Sequence, residues 1–235
     1  MENKILLIIP AYNEGRNILN TCNNIREYNQ RLDYIIINDG STDDTAEVCK
    51  INSLNHINLI HNLGIGGAVQ TGYKYAYENS YDIAIQFDGD GQHDITCLEN
   101  LITPITSGEA DLVIGSRFIG TESRFKSTTL RRLGIKTISV LIKLFTGFKI
   151  HDTTSGFRAC NRELIAKFAD DYPTEYPEPI SEVVVLKEGY KIKEVPAQMN
   201  ERTEGISSIK TWKSVYYMIN VILSIFIAGL RRYKR

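Results

Sequence analysis

The chain offers little cysteine chemistry. Its four cysteines, Cys22, Cys49, Cys97 and Cys160, are scattered over 235 residues and none forms a Cys-x-x-Cys pair. That excludes a zinc knuckle and a disulfide framework, and leaves reduced, buried thiols of a cytoplasmic protein as the expectation. Excess charge of one sign is also missing. The formal net charge of −1 supplies no overall pull toward nucleic acid. The start lacks a basic stretch followed by an apolar core, so no secretory peptide is expected. The apolar run Val215–Leu230, broken by Asn220 and Ser224, has sixteen residues, short of the ~20 that cross a bilayer. Repeats, low-complexity tracts and linkers are absent. The glycines after His61 do not spell Gly-x-Gly-x-x-Gly, which argues against a nicotinamide cofactor.

What is present suits an ordinary globular domain, with 43% hydrophobic and 23% charged residues. Short apolar runs alternate with longer amphipathic ones. Strands are expected at Lys4–Ile9, Tyr34–Ile37, Ile57–Ile60, Ile83–Phe87 and Leu112–Ile114. Helices are expected at Glu14–Tyr28, at Thr42–Lys50 (opened by Ser41 or Thr42), at Gly67–Glu78 and near Ile95–Ile105. This alternation predicts an α/β fold, a mostly parallel sheet with helices on both faces, its strands buried on both sides. Beyond Gly115 the pattern changes to a long basic amphipathic helix over Arg124–Phe148 and a loop-to-strand segment over Thr153–Cys160. Helices follow at Asn161–Phe168 and Pro177–Lys187, then a strand at Lys191–Val195 and a terminal helix over Ser208–Leu230.

Ligands of open parallel sheets collect at the C-terminal ends of the strands. Polar, glycine-rich residues follow each of the first five expected strands. They are Pro10-Ala11-Tyr12-Asn13-Glu14, Asn38-Asp39-Gly40-Ser41-Thr42-Asp43, His61-Asn62-Leu63-Gly64-Ile65-Gly66-Gly67-Ala68, Asp88-Gly89-Asp90-Gly91-Gln92-His93 and Gly115-Ser116-Arg117-Phe118. Any one could be turn chemistry; five at one edge point to a ligand site. Asp88 and Asp90 bring two hard oxygen ligands to that edge, an arrangement suited to a divalent cation that also holds a diphosphate.

Together these segments resemble glycosyltransferase family 2 with the GT-A (Rossmann-like) fold. Thr154-Ser155-Gly156-Phe157-Arg158 and Glu194-Val195-Pro196 resemble its dolichol-phosphate and polyprenyl-phosphate branch. The resemblance runs from about Ile5 to Ile209 and implies a nucleotide-diphosphate sugar as donor, more likely uridine-based. It implies that Asp39 accepts from the base, that Tyr12 stacks on it, and that Pro10, Ala11 and Glu14 line the base and ribose pocket. The family usually has Asp-Asp-Gly-Ser where this chain has Asn38 first, so base recognition rests on Asp39. Gly64, Gly66 and Gly67 allow close backbone approach, for packing or for anion contact at the donor. The family pattern Asp-x-Asp-x-Gln makes Asp88, Asp90 and Gln92 the implied ligands of Mg2+ or Mn2+. His93 is read as a polar loop residue in preference to a fourth ligand.

Family members invert at the anomeric carbon, so a carboxylate should activate a hydroxyl acceptor. Glu178 is the implied base, with Asp90 assigned to catalysis through the metal. The segment often reads Pro-Glu-Pro-Glu-Ser; here the second Glu is Ile180, and Glu182, one turn after Glu178, is read as more likely solvated than catalytic. A phosphate acceptor, already ionised, would tolerate that loss. Arg117 and Arg131 are expected at the acceptor phosphate, Arg202 over the donor diphosphate, with Arg132 beside Arg131 on a membrane-surface helix.

The expectation is therefore an inverting, metal-dependent transferase with a GT-A domain over residues 1–207 and an apolar helix with a basic tail over 208–235. It would move a sugar to polyprenyl phosphate as a peripheral protein at the inner face of the cell membrane, in cell wall polysaccharide biosynthesis. The alternatives are hexosyl or rhamnosyl transfer to a hydroxyl of a lipid-linked or cell-surface glycan, and a subunit active only with a small membrane protein or another copy of itself. The C-terminal helix would lie on the membrane, or else be buried or form an oligomer contact.

Overall fold

The computed structural model describes residues 3–120, 129–199 and 211–233, with the backbone alone described for 129–131 and 211–217. Seven strands form one sheet: β1 (Ile5–Ala11), β2 (Asp33–Asn38), β3 (His56–Asn58), β4 (Ile83–Gln86), β5 (Leu112–Ser116), β6 (Arg158–Asn161) and β7 (Ile192–Pro196). Their spatial order is β3-β2-β1-β4-β6-β5-β7. The helices are α1 (Ile18–Tyr28), α2 (Thr45–Ile51), α3 (Gly64–Glu78), α4 (Leu98–Thr106), α5 (Thr129–Thr146), α6 (Arg162–Asp170), α7 (Pro177–Lys187) and α8 (Thr211–Leu230). The helix expected near Ile95–Ile105 opens as a 3-10 turn over Ile95–Cys97 before α4.

Successive strand side chains point to opposite faces, and both faces are covered. Leu6, Ile8, Ile35, Ile37, Ala84, Leu112 and Ile114 share one core with Val69 and Tyr73 of α3, Leu164 and Phe168 of α6, and Val183 of α7. Leu7, Ile9, Ile36, Ile85 and Val113 share the other with Ile18 and Ile25 of α1, and Leu98 and Leu101 of α4. Two buried faces explain why the strands read as unbroken apolar runs. Close packing at Gly72 seats α3 on the sheet: a Cβ there would stand 2.2 Å from Ile8 Cγ2.

All strands but one point the same way. β6 runs antiparallel to both β4 and β5, so the segment entering β6, residues 151–157, reaches the edge where the other strands end. The mostly parallel sheet is as expected; the reversal of this strand is an addition to it. Two helix starts also differ. α2 begins at Thr45, because Asn13 Oδ1 accepts from the backbone of Thr42 and Asp43, and Asp43 Oδ1 accepts from Thr45 N. α3 begins at Gly64, three residues before the expected start, with Asp39 Oδ1 accepting from Leu63 N at 2.7 Å.

The expected C-terminal appendage is packed into the domain. Val221, Ile225 and Ala228 of α8 belong to the same core as β1 and β5. Gly229 of α8 abuts the Phe145 ring, and Gly134 of α5 abuts Met218, so α5 and α8 lie side by side and run the same way. The residues expected at the start of the long basic helix, 124–128, lie outside the described residues.

A buried ionic clamp fixes the segment entering β6. Glu194 of β7 accepts from the backbone of His151 at 2.8 Å and of Asp152 at 2.9 Å. Asp152, with no solvent exposure, accepts from Arg117 Nε at 2.7 Å and Nη2 at 2.6 Å. Ser155 Oγ donates to Gly115 O at 2.6 Å. Truncating one partner of such a pair strands a buried charge. We therefore expect Asp152→Ala to destabilise the fold by about 3–5 kcal/mol in urea denaturation. The double variant Arg117→Met/Asp152→Leu should cost clearly less than the two single changes summed; equal costs would mean that the pair is not coupled.

Candidate active site

The C-terminal ends of β1 and β2 form one end of the site. Pro10 and Ala11 close β1, and Tyr12 follows with its ring half exposed. Asn13 takes a left-handed conformation, φ 58°, which turns its side chain onto the residues after β2. Glu14 is half-buried, with Oε2 accepting from Asn17 Nδ2 at 2.8 Å. Asp39 is buried and its carboxyl is raised by desolvation, the backbone amides of Leu63 and Gly64 opposing. The expected base-end residues Pro10, Ala11, Tyr12, Glu14 and Asp39 thus come together at adjacent strand ends. Gly67 is buried within α3, and a Cβ there would lie 2.5 Å from Leu63 Cβ. A Cβ at Gly66 would lie 2.3 Å from Pro173 O. These two glycines serve packing.

At the end of β4, Asp88, Asp90 and Gln92 stand on one tight loop, all partly exposed. Asp90 Oδ1 accepts from Gln92 N at 3.1 Å, and Gly91 supplies the positive φ, 74°, that the turn requires. Thr21 Oγ1 ties the loop to α1 through Gly89 O. The Asp88 carboxylate faces Gly156, where a Cβ would come within 3.3 Å of both its oxygens. The same Cβ would stand 2.8 Å from Gln86 Nε2, so a larger residue here would crowd both side chains. Two carboxylates and an amide oxygen are the hard donors that Mg2+ or Mn2+ prefers. Among the described residues no group of three or more His, Cys, Asp or Glu is gathered to hold a metal, so the site offers part of a coordination shell.

His93 is buried, contrary to its reading as a polar loop residue. Its Nδ1 accepts from Asp88 N at 3.0 Å, and its Nε2 lies 3.3 Å from Asp88 Oδ2. Burial pushes its pKa down to about 4, the Asp90 carboxylate opposing and Arg117 adding to the fall. The ring stays neutral near pH 7.

Glu178 sits in the first turn of α7, behind Tyr176 in a left-handed conformation and Pro177 at the first helical position. Burial raises its carboxyl, Arg158 opposes, and the neighbouring Asp88 carboxylate adds to the rise. The structure thus places Glu178 near the Asp88–Gln92 loop. Glu182, read as more likely solvated, is fully buried, because its face of α7 packs over Arg158 at the start of β6. Arg158 Nη2 donates to Glu182 Oε1 at 3.3 Å, and Nη1 donates to Ser181 Oγ at 3.1 Å. Burial pushes the Glu182 carboxyl well up, with Arg158 opposing. Ile180 packs against the core.

Of the expected phosphate-binding arginines, Arg117 stands at the correct edge but is buried, its guanidinium committed to Asp152 and to Thr154 Oγ1 at 2.8 Å. These contacts place it in the clamp. The side chain of Arg131 and all of Arg202 lie outside the described residues, and Arg132 is exposed. Sequence reasoning missed the roles of Asp152, Arg158 and His93. The available signal was an arginine heading an apolar strand, Arg-Ala-Cys, and a histidine directly after the metal motif.

Residues 6–168 match the model of glycosyl transferase family 2. A UDP-N-acetylglucosamine–dolichyl-phosphate N-acetylglucosaminyltransferase of Methanococcus voltae is 34% identical over 212 residues, covering 82% of this chain and 84% of that protein. A polyprenol monophosphomannose synthase of Mycolicibacterium smegmatis is 28% identical, covering 88% and 81%. Among solved structures, glucosyl-3-phosphoglycerate synthase of Mycobacterium tuberculosis, crystallised with Mn2+, UDP-glucose and phosphoglyceric acid, superposes with a TM-score of 0.69 at 18% identity, covering 97% of this chain and 80% of that one. That likeness shows the GT-A fold. The sheet order, the polar strand ends and these matches agree, and the chain belongs to glycosyl transferase family 2.

Proposed function

We propose that this protein transfers a sugar, with inversion, from a nucleotide-diphosphate sugar (a UDP-sugar) to polyprenyl phosphate at the inner face of the membrane. The observation that carries the reading is the meeting of three parts at one sheet edge. These are the Asp39 end, the Asp88–Asp90–Gln92 oxygen set, and Glu178 beside Asp88. The names of the Methanococcus voltae and Mycolicibacterium smegmatis relatives support the polyprenyl-phosphate class.

Asp39 orients the nucleobase, with Tyr12 against it. Asp88, Asp90 and Gln92 would hold Mg2+ or Mn2+, which neutralises charge building on the leaving diphosphate. Glu178 borders the space where the acceptor approaches. A phosphate monoester is already anionic and needs no proton removed before attack, so Glu178 then acts by placement. A hydroxyl acceptor would need it as base. Asp88→Asn and Asp90→Asn should each abolish Mn2+-dependent UDP binding in calorimetry. Glu178→Gln should retain turnover on polyprenyl phosphate, losing far less than the about 10²–10⁴-fold that removing a general base costs. Transfer to sugar hydroxyls with none to polyprenyl phosphate would overturn the acceptor class.

The membrane reading rests on α5 and α8. Leu133, Val140, Leu144 and Phe148 are exposed along α5 and just beyond it, and Ile219, Leu223, Phe226, Ile227 and Leu230 along α8. Neither helix contains an Asp or Glu. Exposed Arg132, Lys136 and Lys143 flank this stripe on α5, and exposed Lys149, Arg231 and Arg232 lie just past the C-terminal ends of α5 and α8. Among the described residues no helix is long and apolar enough to cross a membrane. An apolar face rimmed by cations suits an anionic bilayer surface. Leu144→Glu/Ile227→Glu should weaken sedimentation with anionic vesicles about tenfold or more, while UDP binding stays unchanged. Unaltered sedimentation would remove this face from membrane contact.

A further inference from the structure

We propose that His93 is a positioning residue for Asp88, and that it sets the affinity of the Asp88–Asp90–Gln92 loop for a divalent cation with a nucleoside diphosphate. This rests on the reading of Asp88 as a metal ligand.

The geometry assigns both ring nitrogens to one residue. The backbone N–H of Asp88 can only donate, so His93 Nδ1, 3.0 Å away, presents its lone pair. In the neutral ring the proton therefore sits on Nε2, which faces Asp88 Oδ2 at 3.3 Å. The ring thus spans the main chain and the carboxylate of Asp88 and holds one against the other. With Nδ1 accepting from Asp88 N and Nε2 carrying the proton, the neutral ring has no lone pair to offer a cation, and His93 is not a ligand.

The ring itself is held fast. It stacks on Phe157 with centroids 4.6 Å apart and planes at 20°, and meets Phe87 edge-on at 5.5 Å. Only 4% of His93 is exposed, so water does not compete for either nitrogen. Gly156, next to Phe157, flanks the same carboxylate. Asp88 is therefore confined by His93 and by Gly156. A carboxylate held before the cation arrives loses less freedom on binding than one that swings free. Partners of this kind behind a metal ligand affect affinity by about 10–100-fold.

The test uses the whole chain. His93→Phe keeps the ring stack and removes both nitrogens; His93→Gln can return a donor toward Oδ2. Mn2+ affinity in the presence of UDP is measured by electron paramagnetic resonance of the free ion, with thermal unfolding as the control for folding. We expect His93→Phe to weaken Mn2+ binding about 10–100-fold, and His93→Gln to recover part of the loss. Long-range 1H–15N spectra of the unmodified protein should show the Nε2–H tautomer. Folded His93→Phe with unchanged Mn2+ affinity overturns the proposal, as does an Nδ1–H tautomer. Should His93→Phe not fold, a folded His93→Leu, which also lacks both nitrogens, with unchanged Mn2+ affinity would overturn it equally. Asp88→Asn separates the two levels. If it too binds Mn2+ normally, the assignment of Asp88 as a ligand fails; if it loses Mn2+ while His93→Phe keeps it, only the positioning role fails.

Discussion

Asp152 is an acidic side chain with no solvent exposure, and the arrangement of the site depends on the groups that pair with it. Arg117 answers it with two parallel donors, and Glu194 fixes the backbone on which it stands. From that anchor the chain runs into β6, and each next residue meets a different part of the site. Gly156 flanks the Asp88 carboxylate, Phe157 backs His93, and Arg158 reaches Ser181 and Glu182 on α7. A single segment thus registers the Asp88–Gln92 loop against the helix that carries Glu178. The antiparallel direction of β6 makes this possible. Were it parallel like its neighbours, residues 151–157 would lie at the opposite edge of the sheet.

Two buried ion pairs in one small region are a poor way to gain stability, since desolvation offsets most of the attraction. Their value lies in directionality. An apolar side chain in place of Asp152 could pack in several ways; a carboxylate facing a guanidinium fork has one good arrangement. The Arg158–Glu182 pair acts likewise on α7. Among the described residues Glu182 Oε2 and Gln86 Oε1 nevertheless have no hydrogen-bond partner, so within them the polar network under the site is incompletely satisfied. Such unpaired buried atoms are expected where geometry is set by function as well as by stability.

Much of the fold was legible in the sequence because its physics is local. Lys4–Ile9 and Tyr34–Ile37 read as strands from their apolar residues alone, and Pro177–Lys187 matches α7 to the residue. The polar loops at Asp39 and Asp88 declared the ligand edge for the same reason. What stayed hidden depends on partners distant in the chain. Nothing near Thr42 reveals that Asn13, 29 residues earlier, would delay the start of α2. Glu182 reads as solvated until Arg158, 24 residues away, is seen beneath it. Arg117 reads as a phosphate ligand until Asp152 is seen to hold it. Charged residues are read as exposed by default, and the sequence does not show which of them have a buried counter-charge.

The same layering joins the site to the apolar face. Helix α7 carries Glu178 in its first turn and packs against both α5 and α8, the helices that expose the apolar residues. Val221 and Ile225 hold α8 to the core that also contains Val183 of α7. Helix α7 therefore lies between the proposed membrane face and the proposed reaction site. A polyprenyl phosphate combines an apolar tail with an anionic head. An enzyme that takes it from a bilayer needs a surface for the first and a polar edge for the second, held in fixed relation. Rigid packing of α7 between the two supplies that relation, and it gives the substitution of Ile180 a meaning. Where the resembling pattern has a second carboxylate, this chain places Ile180, which packs against the core; for the proposed phosphate acceptor, already anionic, the lost carboxylate would remove no needed base.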